Sequence, residues 1–351
     1  MINVSLESTE TLRITETSKI QYYLYINSIL HLKIKILFYE KEKRGIMNRR
    51  NFIKKSLQAS FIASSTLSTG SYSKLFASKL LTDKYDLVAI KGDEPDIMFD
   101  KGIQFLGGMK SFVKKGQSVV IKPNIGWDVS PERAANTNPV LINRIIKHCY
   151  EAGAKTVYVF DHPCDNWIRC YSNSGIEKAV KEAGGKMVPA NSESYYQEVK
   201  IKNTKNLNQA LVHELILSSD VFINVPVLKE HGSAGLTICM KNLMGAVWDR
   251  GFWHRNNLHQ CIAEFPSFRK PDLNIVDAYY VMKRNGPRGV SKDDLIEMKS
   301  QIISADIVAA DAAAAKLFGM NPDNIAYIKI ADQMKIGTKD LGKLSIKRII
   351  I

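Results

Sequence analysis

The chain has 351 residues, of which 45% are hydrophobic, and it carries a formal net charge of +14 at neutral pH. The charge is uneven, because residues 47–80 hold six basic and no acidic side chains, whereas residues 81–351 have a dispersed excess of only six positive charges. This distribution argues against a nucleic-acid-binding protein, and the part after residue 80 contains no apolar run long enough to span a bilayer.

Residues 1–46 are interpreted as a translated upstream extension, with the true start at Met47. Two stretches in this region, 21–26 and 32–38, alternate like strands and carry too many charges for a membrane span. Arg44 and Gly45 can be encoded by purine-rich codons that resemble a ribosome-binding site. A genuine N-terminal extension is the alternative.

Residues 47–77 resemble a twin-arginine signal peptide. Arg49 and Arg50 open a basic segment, a weakly hydrophobic stretch follows at 57–67, and the small residue Ala77 could precede the cleavage site. The resemblance implies export of the folded protein by the twin-arginine translocation machinery and a periplasmic or other extracytoplasmic location. An ordinary basic amphipathic leader is the alternative.

Residues 84–340 are predicted to form an α/β fold, with a mainly parallel sheet and helices on both faces. About 270 residues suffice for one large domain or two closely packed lobes. Strands are predicted at 86–90, 118–121, 156–160 and 220–224, and helices at 96–107, 139–153, 174–184 and 208–218.

Two of these helices begin with recognisable capping patterns. Asn138 precedes Pro139, which predicts an N-cap followed by a proline in the first turn, where its missing amide hydrogen costs nothing. Ser174 and Glu177 have the spacing of a capping box.

Polar side chains follow three of the predicted strands, at Asn124, Asp161 and Asn224. In open α/β sheets the ligand crevice lies beyond the carboxyl ends of the strands. These side chains are therefore candidates for the floor of a binding site.

The segment 227–245 contains the richest set of candidate site residues. A strand is followed by a loop and then by a helix predicted to begin near Leu236, with Lys229 and His231 beside its start. Free amide groups at such a start attract phosphate or carboxylate. In that helix Thr237, Lys241 and Gly245 would share one face.

Lys122, Lys229 and Lys241 are predicted to meet in one pocket. Mutual repulsion and partial burial would lower the pKa of at least one amine, making it a base or a Schiff-base nucleophile. The alternative is that each is an ordinary solvated surface lysine.

Four histidines could carry protons or bind a metal, but none has the paired spacing of a zinc motif; they are His162, His231, His254 and His259. The loop 253–255 would either close over a ligand or form a structural cap. Asp311 lies inside a predicted helix that Asp306 caps, and it could pair with a pocket lysine.

The five cysteines never form a Cys-x-x-Cys pair, so the sequence contains no iron–sulfur or zinc-ribbon motif. Cys164 and Cys170 are the only pair that the sequence suggests for a disulfide. Unpaired thiols are the favoured alternative.

The chain resembles the family known as domain of unknown function 362, and the resemblance covers nearly all of residues 85–338. Its longest motif is the run Asn224-Val-Pro-Val-Leu-Lys-Glu-His231. The other matching stretches are 121–124, 137–139, 151–154, 160–161, 236–237, 240–245, 285–289, 304–306, 310–312, 318–319 and 321–322. Some members carry an appended ferredoxin-like segment; no such segment precedes Ile351, so an iron–sulfur cluster is not expected.

The leading hypothesis is an exported enzyme that acts on a small anionic molecule, with an unidentified metal or organic cofactor as an option. The alternatives are a binding protein that captures an anion or a metal complex, and, less favoured, a redox partner. The candidate catalytic residues are His231, Lys229, Lys241 and Asp161. The candidate substrate-binding residues are Lys122, Asn124, Asn224, Thr237, Asn242, His254 and Asp311.

Overall fold

The computed structural model describes residues 85–351. The predicted upstream extension and the predicted export signal lie outside these residues. Within the described part, no helix is both long and apolar enough to cross a bilayer.

The strands of the described part are short except for two ten-residue strands near the middle of the sheet. Their bounds are β1 Leu87–Lys91, β2 Ser118–Pro123, β3 Thr156–Val159, β4 Lys186–Met187, β5 Tyr196–Lys200, β6 Gln209–His213, β7 Val221–Val225, β8 Val227–His231, β9 Gly235–Thr237, β10 Leu273–Met282, β11 Leu295–Ser304 and β12 Ile346–Ile350.

The helices lie mainly in the connections between strands. Their bounds are α1 Pro95–Gln104, α2 Pro139–Glu151, α3 Trp167–Asn173, α4 Ile176–Glu182, α5 Glu214–Ser218, α6 Cys239–Asn242, α7 Arg250–Arg255, α8 Leu258–Glu264, α9 Ile307–Phe318 and α10 Ala326–Gln333.

The main sheet has the order β12-β1-β11-β10-β7-β2-β3-β4, with β8 paired to β10 and β9 paired to β8. Pairing is parallel from β10 through β7, β2 and β3 to β4, whereas β11 is antiparallel to both of its neighbours. A separate antiparallel pair is formed by β5 and β6. The predicted α/β class with a mainly parallel sheet is therefore confirmed.

Two apolar cores cover the two faces of the sheet, because successive side chains of each strand point to opposite sides. In β2, Val119 and Ile121 pack with α1 to α4, while Val120 packs with the core that contains α5 to α10. The prediction of helices on both faces is correct.

The chain reverses its direction across the sheet between β2 and β7. From β2 it passes through α2 to β3 and then through α3 and α4 to β4; it returns past β5, β6 and α5 and re-enters the sheet at β7, on the other side of β2. Ligands of open α/β sheets bind at such a switch point, beyond the carboxyl ends of the strands.

The Asn138 cap is present, because its side chain accepts a hydrogen bond from the Val140 amide. The capping box at Ser174 does not form as predicted: Gly175 is the N-cap of α4, in a left-handed conformation. The helix predicted at 208–218 is also partly wrong, because residues 209–213 pair as β6 and only 214–218 are helical.

The folded unit extends beyond residue 340. The strand β12, Ile346–Ile350, pairs in parallel with β1 at the edge of the sheet. The predicted boundary at 340 is therefore too early.

Candidate functional site

A cavity of about 330 Å³ lies at the carboxyl ends of β2, β3 and β8, next to the switch point. Residues from five separate stretches of the chain line it: Lys122, Asn124, Gly126, Trp127, Asp161, His162, Cys164, Lys229, His231, Thr237, Lys241, Asn242, Met244, Gly245, Arg250, His254 and Pro287. The predicted convergence of Lys122, Lys229 and Lys241 on one pocket is what the structure shows.

Lys122 and Asp161 form a buried ion pair at the floor of the cavity. The Lys122 Nζ lies 2.7 Å from Asp161 Oδ1, and both side chains are almost fully buried. Nζ also donates to the Pro123 carbonyl and to Asn242 Oδ1. Burial lowers the pKa of Lys122, and the attraction of Asp161 opposes that change. All three ammonium hydrogens of Lys122 thus have partners.

Asp161 is held by the backbone as well as by Lys122. Its Oδ2 accepts a hydrogen bond from the Ile125 amide at 2.7 Å, and its Oδ1 accepts one from the His162 amide at 3.0 Å. Among the residues that the structure describes, Asp161 is the only carboxylate that lines the cavity. Because it is paired with Lys122, it leaves the other cations of the cavity without a carboxylate partner.

Lys229 is fully buried but pairs only with neutral groups. Its Nζ donates to Asn124 Oδ1 at 3.0 Å and to the Ala135 carbonyl. Burial, together with the positive charge of Lys241, lowers the pKa of Lys229 to about 7. This lysine is therefore close to the balance between its charged and neutral forms near neutral pH.

Lys241 differs from the other two lysines because it has no hydrogen-bond or ion-pair partner among residues 85–351. It is half-buried, and burial lowers its pKa to about 8, helped by repulsion from Arg250 and Lys122. Its amine faces a cavity that holds other cations. A ligand is the natural partner for such a group.

A network of asparagine side chains fixes the floor. Asn242 Oδ1 accepts hydrogen bonds from Lys122 Nζ and from Asn124 Nδ2, while Asn242 Nδ2 donates to Asn224 Oδ1. Asn224 in turn donates to the Cys239 carbonyl and to Asn274. Asn224 is fully buried and does not line the cavity, so it supports the floor from behind.

Arg250 brings a further cation to the cavity at the start of α7. Its guanidinium donates to the His162 and Pro163 carbonyls, each at 2.7 Å, and to the Cys164 sulfur at 3.4 Å. None of these acceptors is a carboxylate. Arg250 therefore adds positive charge that no described residue neutralises.

The hydrogen bonds of two histidines indicate different tautomers. The Nδ1 of His162 faces the Val247 carbonyl at 3.1 Å, which places a proton on Nδ1 and leaves Nε2 as an acceptor. The Nδ1 of His231 accepts a hydrogen bond from the Ala234 amide at 3.3 Å, which places the proton on Nε2.

Both of these histidines are neutral near pH 7. Burial lowers the pKa of His162, and burial together with Lys241 and Lys229 lowers the pKa of His231 to about 3. His254 also lines the cavity but is an exposed residue of α7.

Thr237 lines the cavity with a hydroxyl that lacks a partner. The side chain is almost fully buried, and its Oγ1 makes no hydrogen bond with any described residue. A buried polar atom without a partner is costly, so the side chain of Thr237 is under-satisfied next to the cavity.

The predicted anion site at a free helix start is wrong. Residues 235–237 form β9, and the helix α6 begins only at Cys239. Its first amides, of Cys239 and Met240, donate to the carboxylate of Asp311 at 2.6 and 3.1 Å. Those amides are therefore occupied, although Thr237, Lys241 and Gly245 all still reach the cavity.

Asp311 is not brought to the cavity. It is fully buried in α9 and holds α6 through the two amides, so it does not pair with a pocket lysine. Burial raises its pKa to about 7. Asp306, by contrast, caps α9 as predicted, through the amides of Val308 and Ala309.

Arg250, Trp127 and Cys164 line the cavity but were not among the site residues predicted from the sequence. Arg250 and His162 are close to other candidate residues in the sequence. Only the fold shows that the Arg250 guanidinium donates a hydrogen bond to the His162 carbonyl. Cys164 and Cys170 are free thiols, one exposed and one buried. Among residues 85–351 no group of three or more histidine, cysteine or acidic side chains is arranged to hold a metal ion.

Comparisons with known proteins give a family match and a named relative. Residues 119–316 match the family described as "Domain of unknown function (DUF362)". A protein of Synechocystis sp. named "Thylakoid-associated protein sll1697" is 27% identical over 238 residues, which are 65% of this chain and 71% of that protein.

Two solved structures are similar at a low level. One is the lactate racemase apoprotein from Thermoanaerobacterium thermosaccharolyticum, with 11% identity, a TM-score of 0.41, and coverage of 67% of this chain and 57% of that one. The other is a protein from Thermotoga maritima, with 12% identity, a TM-score of 0.42, and coverage of 69% and 60%. This chain thus spans less than two thirds of the length of either structure.

Proposed function

The chain belongs to the DUF362 family, a domain of unknown function, and we propose from its own residues that the cavity binds a small anionic molecule and acts on it as an enzyme. The observation that carries the proposal is the imbalance of charge. Lys229, Lys241 and Arg250 line the cavity, and the one carboxylate there, Asp161, is already paired with Lys122.

Uncompensated cations in a partly buried cavity favour an anion strongly, because the low local dielectric strengthens each attraction. The cavity of about 330 Å³ is at the small end of ligand pockets, which suits a compact carboxylate or phosphate compound. The Nε2–H of His231 adds a donor for the oxygens of such a ligand.

Catalysis is supported by groups that can exchange protons near neutral pH. Lys229 and Lys241 have pKa values lowered to about 7 and about 8. His162 offers an unprotonated Nε2 as a proton acceptor, whereas His231 is suited to donate a hydrogen bond to a developing negative oxygen. Asp161 positions Lys122 through their ion pair.

Binding is tested by titrating the full chain with phosphate, sulfate and a set of mono-, di- and tricarboxylates, with uncharged amides of the same acids as controls. We expect stabilisation by at least one anion and none by its amide. Replacing Lys241 or Arg250 by Met should weaken that binding about 10- to 100-fold, because each removes a charged hydrogen bond. Lys178→Met is the control, since Lys178 is exposed outside the cavity.

Equal binding by the Lys241→Met, Arg250→Met and Lys178→Met variants, or equal stabilisation by the acids and their amides, would contradict the anion site. Turnover separates the two classes of function: NMR of each bound anion reports any chemical change. For an enzyme, we expect His162→Gln to slow the change about 10²- to 10⁴-fold while sparing affinity. Binding without change in any compound would favour a pure binding protein.

We also propose that the protein is exported by the twin-arginine route and works outside the cytoplasm. The support is the pair Arg49 and Arg50, the weakly hydrophobic stretch after them, and the absence of acidic residues over 47–80. This route carries proteins that have already folded.

A further inference from the structure

The three lysines of the cavity differ in how their amines are occupied. Lys122 has three partners, one of them the Asp161 carboxylate, and Lys229 has two neutral acceptors. Lys241 has none among the described residues, is half-buried, and lines the same cavity. Its amine is therefore the one that can approach a bound molecule without breaking an existing bond.

We infer that Lys241 forms a covalent imine with the carbonyl carbon of an anionic carbonyl compound, such as a 2-oxo carboxylate or an aldehyde that bears a carboxylate. The inference deepens the proposed function and rests on it, because the same cavity must hold the negative charge of the substrate. It names the substrate class and the attacking atom.

The step begins with Lys241 as the free amine. Its lone pair attacks the carbonyl carbon, the C–N bond forms, and the carbonyl oxygen takes up a proton as the nitrogen loses one. A second proton on that oxygen lets it leave as water, and the product is a protonated imine with one positive charge. Neither an oxidant nor a reductant is required.

The surroundings explain why the carbonyl compound must be an anion. A protonated imine beside Lys229 and Arg250 would add a positive charge to a cavity that already has an excess of them. A carboxylate on the substrate offsets that charge and can accept hydrogen bonds from the guanidinium of Arg250.

The position of Lys241 is also fixed well enough for such chemistry. It lies in α6, a helix of four residues whose first two amides are held by the buried carboxylate of Asp311. The next residue, Asn242, is hydrogen-bonded to Lys122, Asn124 and Asn224. Burial, helped by repulsion from Arg250 and Lys122, lowers the pKa of Lys241 to about 8 and so supplies free amine at mildly alkaline pH.

Reductive trapping tests the inference on the full chain. The protein is incubated with glyoxylate or pyruvate and sodium cyanoborohydride, and the site of the stable secondary amine is located by peptide mass mapping. We expect one adduct, on Lys241, with at least a tenfold preference over the exposed Lys178. The rate should rise with pH through about 8, in step with the free amine.

Lys241→Arg keeps the charge and removes the nucleophile, so it should abolish the adduct while the variant still binds non-carbonyl anions. Labelling spread over exposed lysines, or an unchanged adduct in Lys241→Arg, would overturn the inference. Acetaldehyde, a neutral carbonyl compound, separates the anion site from the imine. If Lys241 trapped acetaldehyde as well as it traps glyoxylate or pyruvate, the anion site alone would be contradicted. Anion binding without any trapped adduct would contradict the imine alone.

Discussion

Asp161 is the residue that allows Lys122 to remain charged in the floor of the cavity. Removing one member of a buried ion pair leaves an uncompensated charge, which costs about 3 to 5 kcal/mol. We expect Asp161→Asn to lower the free energy of unfolding by about that amount, measured by urea denaturation. The double variant Asp161→Asn with Lys122→Met should recover part of the lost stability, because neither position of the pair then carries a buried charge. A double variant less stable than the single one would contradict this account of the pair.

Because Gly245 has no side chain, the Lys122–Asp161 ion pair can lie close to the backbone of the turn that follows α6. A Cβ at position 245 would stand 1.8 Å from Asp161 Oδ1 and 2.8 Å from Lys122 Nζ. We expect Gly245→Ala to lower the free energy of unfolding by about 1 to 3 kcal/mol, as overpacking does, and to weaken anion binding.

The matched control for that variant is Gly232→Ala, whose new Cβ would meet no atom within 4 Å. It should leave both unfolding and binding nearly unchanged. Equal effects of the two substitutions would mean that space at Gly245 does not matter. Gly245 was recognised in the sequence as a member of a helical face, but its role as a contact surface for the ion pair depends on tertiary packing.

At the scale of elements, α9 holds α6 through Asp311. The pKa of Asp311 is raised from 3.8 to about 7 by burial, so the folded protein keeps a proton that the unfolded chain has already lost. The stability that this proton gives is complete below about pH 4 and is lost as the pH rises through about 7.

The variant Asp311→Asn tests this link between the two helices. We expect the wild-type free energy of unfolding to fall by an amount on the order of a few kcal/mol between pH 4 and pH 7, and the variant to show a smaller fall. The variant should also be less stable by about 1 to 3 kcal/mol at pH 4, because the NH2 group that replaces one Asp311 oxygen cannot accept, so either the Cys239 or the Met240 amide loses its acceptor. Parallel pH profiles for the two proteins would rule out Asp311 as the source.

The surroundings of α6 show where prediction from the sequence succeeded and where it failed. Asn124 and Asp161 line the cavity as expected from the rule that the carboxyl ends of parallel strands meet at one edge, whereas Lys229 and Lys241 were predicted from the composition of segment 227–245. The occupation of the α6 amides does not follow, because Asp311 lies far along the chain and only the packing of α9 brings it there. A local pattern could not distinguish a free helix start from a capped one.

At the scale of the whole molecule, alternation of strands and helices predicted the α/β class and the helices on both faces. It missed the strand β11, which is antiparallel to both β1 and β10, and the final strand β12 at the edge of the sheet. Residues 209–213 were assigned to a helix because their pattern is short and ambiguous, and pairing with β5 decided in favour of a strand.

Export is a property of the whole chain, and the two arginines can be tested by fractionation. We expect the protein produced from Met47, in a bacterium that has the twin-arginine machinery, to reach the periplasm, and the double variant Arg49→Lys with Arg50→Lys to stay in the cytoplasm. Lys54→Arg with Lys55→Arg is the control and should still be exported. Equal periplasmic amounts of both double variants would contradict twin-arginine export.

The most direct test of the anion site is the location of a bound oxyanion by anomalous diffraction from crystals of the full chain soaked in selenate. We expect one strong selenium peak inside the cavity, within hydrogen-bonding distance of Lys241 Nζ and the Arg250 guanidinium, and a much weaker peak in crystals of Lys241→Met. Selenate bound only at exposed lysines, with the cavity free of anomalous signal, would contradict the central claim.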